Sequence, residues 1–237
     1  TKTILQQSAG TGRLAAKIAG GQNMKKARLM LAAAAAGILL AGCSAGGAGS
    51  FSPDRSCVYI TSDGDIKSAL VLETEETFDA DADELREFLE SAVERFNEKT
   101  GGSEGEEVPV SLDSCSVQDG EMTAVFGYRS AADLIAFRQS DENEDTSNSF
   151  TSIEVKSAAD AGTAGWLAGE FQTADGKAVS GLDITKEQKA LAVNVQGGGV
   201  LETEGQVLYM SNGVETISDT AVTVPEGQTS VVVFTTK

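Results

Sequence analysis

Three cysteines, 36 carboxylates and no histidine set the chemistry open to this chain of 237 residues. Without an imidazole there is no Ser-His-Asp or Cys-His machinery and no His-ligated metal. Cys43, Cys57 and Cys115 form no C-x-x-C pair, so zinc ribbons and thioredoxin-type redox chemistry are unsupported. Carboxylates remain. Two of them across a cleft suffice for glycoside hydrolysis, but nothing in their spacing selects a pair. Asp79, Asp81 and Asp83, followed by Glu90, partly match a calcium-binding EF-hand loop. The sixth position, which needs glycine for its turn, holds Glu84, and Glu90 falls inside a predicted helix. Acidic residues at a helix start are expected from the macrodipole alone. Trp166, the single tryptophan, is assigned to the core rather than to a ligand platform. The chain has no Ser-x-x-Lys motif, nucleophile elbow or phosphate loop.

The elements that would position these residues are read from periodicity. Cys57–Thr61 and Ile66–Leu72 are β-rich runs around Asp63-Gly64, a hairpin signal. Leu85, Phe88, Leu89, Ala92, Val93 and Phe96 form one apolar helical stripe, with Asp81 and Glu84 as a capping box and Gly101-Gly102 as the stop. A second unit repeats the order: a strand over Val110–Val117, a turn at Asp119-Gly120, a strand over Met122–Tyr128 and a short helix from Ser130. The polar, acidic stretch 141–150 reads as a loop or linker.

Beyond it the chain reads mostly β. Strands are expected at Ser152–Val155, Gly169–Thr173, Lys189–Val195, Gln206–Met210, Val214–Ile217, Ala221–Val224 and Ser230–Thr235, with a hairpin turn at Asn212-Gly213. The Thr163–Gly169 segment is a short helix or a loop. The expected fold class is α+β: two ββα units over 57–140, then a β-rich antiparallel region over 151–237 in a small sheet or open sandwich.

Upstream of all this lies Met24-Lys25-Lys26-Ala27-Arg28, an apolar run over Leu29–Leu40, and Leu40-Ala41-Gly42-Cys43. The apolar run is too short for a bilayer span, which needs about 18 residues or more. A basic start, a short apolar core and small residues before a cysteine resemble the signal peptide and lipobox of a bacterial lipoprotein. The chain is similar in general make-up to small lipoproteins of low-GC Gram-positive bacteria. The resemblance implies that 24–42 is removed, that the Cys43 sulfur receives a diacylglycerol, and that Cys43 becomes the mature N-terminus. Two or three acyl chains give stable anchoring on the extracytoplasmic face of the cell membrane. Residues 1–23 then have no role in the product and are expected to be translated upstream sequence. The Gly- and Ser-rich stretch 43–56 reads as a tether.

A chain beginning at Cys43 retains all 36 acidic residues but only 12 of the 18 basic ones, a formal charge of −24. Such a surface repels nucleic acid and anionic headgroups and suits basic partners. Only Cys57 and Cys115 remain as thiols once Cys43 is lipidated. Outside the cytoplasm they are a candidate disulfide, and each precedes its Asp-Gly turn by an even number of residues, which allows equivalent faces. Two buried free thiols are the other reading. The expected function is a lipid-anchored, non-enzymatic binding or scaffolding protein without a cofactor, whose ligand or protein partner lies outside the cytoplasm. A histidine-free, carboxylate-based hydrolase of envelope or glycan material is the alternative.

Overall fold

The computed structural model describes residues 51–73, 82–101, 107–118, 120–143 and 145–236. The strands are β1 (Cys57–Ile60), β2 (Ile66–Glu73), β3 (Val110–Gln118), β4 (Glu121–Tyr128), β5 (Ser152–Ser157), β6 (Phe171–Thr173), β7 (Ala178–Val179), β8 (Ala190–Gln196), β9 (Gly199–Thr203), β10 (Val207–Ser211), β11 (Glu215–Thr216), β12 (Ala221–Val224) and β13 (Thr229–Thr235). The helices among the described residues are α1 (Ala82–Thr100), α2 (Ala131–Arg138), α3 (Ala158–Thr163) and α4 (Gly181–Ile184). The fold is α+β with a β-rich C-terminal half, as the sequence predicts.

Two sheets organise it. The first has seven strands in the order β11-β12-β9-β1-β2-β4-β3, and the second has six in the order β5-β8-β13-β10-β6-β7. Every pair is antiparallel except β1 with β9, where Val58, Ile60 and their neighbours run parallel to Leu201–Thr203. The inner faces of the two sheets share one core. Val58, Ile60, Leu201 and Val222 of the first meet Val193, Val195, Val232 and Phe234 of the second. Where the second sheet ends, α1 covers the inner face of β4 and β3. Its stripe of Leu85, Leu89, Val93 and Phe96 packs on Val110, Met122, Ala124 and Phe126. α2 joins the two regions, with Leu134 in the intersheet core and Phe137 under α1. The far face of the second sheet is closed by α3 and α4 through Ala158, Ala161 and Ile184. β8 and β13 are therefore buried on both faces, which is why they read as nearly unbroken apolar runs.

Turn geometry decides which strands pair. Gly64 has φ of 89°, and its N–H donates to Thr61 O across the β1–β2 hairpin. Asn212-Gly213 is not a hairpin between paired strands. β10 pairs with β13 and β6, while β11 pairs with β12, so this turn carries the chain from one sheet to the other. The sequence carries no strand signal over β9. The triplet Gly197-Gly198-Gly199 masks a strand of five residues that becomes the parallel neighbour of β1.

Candidate functional site

Cys43, and with it the signal segment and residues 1–42, lie outside the described residues. The structure begins just beyond them. Phe51 stacks on Tyr59 with ring centroids 4.0 Å apart. Ser56 Oγ donates to Val71 O at 3.0 Å and accepts from Val71 N at 2.9 Å, acting as a short extension of β1. Residues 51–56 are thus tied to the sheet. The rest of the expected tether, residues 43–50, lies outside the described residues.

Around this attachment the outer face of the first sheet carries Cys57, Ala69 and Val125, aligned across β1, β2 and β4. Cys57 is buried, and its thiol lies 3.7 Å from Glu202 Oε2. Burial, then the Glu202 charge, pushes the thiol far up from its ordinary value. Burial also raises the Glu202 carboxyl, against the opposing pull of the Cys57 contact. Tyr59 is raised to about 12, by burial first and then by Glu204 and Glu202. A thiol held protonated in this way is neither a good nucleophile nor a good metal ligand. The cluster seals the sheet at the point where the chain enters it.

The disulfide expectation fails on topology. Cys57 and Cys115 are both free. β2 and β4 stand between β1 and β3, so the two backbones are about 14 Å apart at the normal strand spacing, twice the reach of a disulfide. Their faces differ too. Cys57 lies in the Ala69–Val125 row, whereas Cys115 is opposite Ala124 and packs under α1, with Sγ 3.8 Å from Ala82 O. The parity argument fails because the hairpins differ in length: Ile60 pairs with Ile66 across five residues, whereas Gln118 pairs with Glu121 across two, so an even count to each Asp-Gly leads to opposite faces.

Of the calcium candidates, Asp79 and Asp81 lie outside the described residues. Asp83 sits in the first turn of α1, where the helix dipole favours an acid. Among the described residues no three potential ligands come within reach of one metal ion. Trp166 is half-buried against the α3 layer, with Lys156 Nζ 4.2 Å from its ring centroid.

Sequence reasoning missed the polar joint between α2 and the following loop. Tyr128 Oη and Ser68 Oγ are 2.7 Å apart. Arg138 donates to the carbonyls of Asn148 and Phe150 at 3.2 and 3.0 Å. Burial raises the Asp145 carboxyl, partly offset by hydrogen bonds from Ser147. Glu142 accepts from Lys99 at 2.6 Å and Arg95 at 2.8 Å, and these bonds hold its carboxyl below the ordinary value. The available signal was Arg95 and Lys99 at i and i+4, one helix face ready for a single carboxylate. The two raised carboxyls do not form a pair. Glu202 is on the outer face of the first sheet, while Asp145 acts on Tyr128, which packs inward. Comparisons with protein-family models, with curated proteins and with solved structures find no match to the chain.

Proposed function

We propose that this is a lipoprotein held to the extracytoplasmic face of the membrane through Cys43, with a non-enzymatic binding or scaffolding role. The motif Leu40-Ala41-Gly42-Cys43 carries the reading. The fold supports it in one respect. Phe51 and Ser56 fasten the chain to the sheet directly after a seven-residue link, so a lipidated Cys43 would hold the domain close to the bilayer. β1 then leads away from the anchor toward the Asp63-Gly64 turn, and the strand ends beside that turn are the part presented outward. A chain that begins at Cys43 has a formal charge of −24, which keeps such a domain off anionic headgroups.

Fractionation of cells expressing the full chain and its Cys43→Ala variant tests the proposal. The wild type should sediment with membranes and incorporate labelled palmitate. The variant should be unlabelled and soluble. Equal sedimentation of the two, without label in either, overturns the lipid anchor.

A further inference from the structure

The edge of the first sheet at β3 is bordered by α1, and the two are joined at one end by a side chain acting as a strand. Asn97 Nδ2 donates to Val110 O at 2.8 Å, and Asn97 Oδ1 accepts from Val110 N at 3.1 Å. That is the pair of bonds a neighbouring strand would make. Val110 therefore turns its peptide groups away from β4, and Leu112, two residues on and before the bulge, turns its own the same way. Beside this edge runs a groove of about 410 Å³ between α1 and β3. Its floor is Val93, Val108 and Leu112, and Val108 is one of three large apolar side chains exposed among the described residues. Its rim is Glu90, Glu94 and Glu98.

The charge on α1 is sorted across the helix. Arg95 and Lys99 are both drawn to Glu142, on the flank toward α2. Arg86 reaches Glu90 at 3.5 Å. Glu94 and Glu98 make no ion pair among the described residues. An apolar floor, an acidic rim and open backbone groups call for an occupant that is extended, apolar in part and cationic. A second copy of this chain does not qualify, because edge-to-edge pairing would set two acidic rims against each other on chains of net charge −18. We propose that the groove binds an extended cationic segment of a partner protein, which adds as a strand to β3. Its basic side chains meet Glu94 and Glu98, and its apolar ones cover Val93, Val108 and Leu112. This names the partner class for the binding role proposed above and rests on that role, but not on the lipid anchor. The start of β3 aligns with the ends of β4 and β1 beside the Asp63-Gly64 turn, so an anchored domain would present this groove away from the membrane.

Anisotropy titration of the full chain with a labelled decapeptide of alternating Lys and Val tests the proposal in solution. Two further peptides are measured beside it: the same sequence with alternate backbone amides N-methylated, and a Glu/Val counterpart. The Lys/Val peptide should bind saturably at one site and weaken with salt. The N-methylated and Glu/Val peptides should not bind. The double variant E94Q/E98Q, both positions being exposed, should weaken binding about tenfold with its melting temperature unchanged. Equal binding of the N-methylated peptide, or unchanged affinity in the double variant, overturns the groove. Failure here leaves the Cys43 fractionation untouched, so the two readings fall separately.

Discussion

Cys57 and Cys115 differ in what surrounds their thiols. Cys57 is 2% exposed beneath the chain's entry to the sheet, whereas Cys115 is half-buried at the edge under α1. In lipidated protein prepared without reductant, thiol titration should give two free groups after denaturation. Before denaturation Cys115 should react well ahead of Cys57. A count of zero after denaturation would restore the bridge. The carboxyls act in opposite senses. Asp145 has its value raised above 3.8 by burial, so between the two values the native chain keeps a proton that the unfolded chain has lost. Stability therefore falls as pH rises through that window. Glu142 is lowered, so its contribution is present above 4.5 and is lost as pH falls through its folded value. Asp145→Asn, which keeps the acceptor for Ser147, should raise the melting temperature at neutral pH and leave it unchanged below about pH 4. An unchanged melting curve at neutral pH would show that the buried charge carries no cost.

Among the elements, α1 and α2 show how far periodicity reaches. Of the six residues in the apolar stripe of α1, five are buried and Phe88 is half-buried, and Ser130, where the second helix is expected to start, caps α2 by accepting from Asp133 N. Periodicity could not show that Phe137 would meet three other aromatics: Phe96 at 5.1 Å, Phe126 at 5.5 Å and Tyr128 at 6.4 Å. It is fully buried where α1, α2 and β4 converge. Phe137→Ala should cost about 3–5 kcal/mol, read as a shift in the denaturant midpoint. A loss below about 1 kcal/mol would mean that the site collapses around the gap. β9 stayed hidden for the opposite reason. Its glycines are turn residues by composition, and only its partners on either side, β1 and β12, make Gly199–Thr203 a strand.

At the scale of the molecule, the two halves of the sequence are not two halves of the structure. β9, β12 and β11 come from the region after residue 151 yet continue the sheet begun by β1 and β2. β1 lies between β2 and β9, and the intersheet core takes residues from both halves. A chain ending at residue 150 should lose cooperative unfolding, because β1 becomes an edge and Val58 and Ile60 lose their cover. A sharp calorimetric transition in that fragment would show independent folding. The sequence by itself determined whatever depends on neighbours along the chain: the lipobox resemblance at Cys43, the absence of imidazole chemistry, the helix stripes, the Asp-Gly hairpin at Gly64 and the α+β class. Only the tertiary structure decided what depends on which strands meet. It separated Cys57 from Cys115 by two strands and sent the Asn212-Gly213 turn between sheets. It also left β3 as an edge beside an acidic helix. Local propensity is set within a few residues, whereas strand order is set by the burial of faces far apart in sequence, and no short-range signal records it.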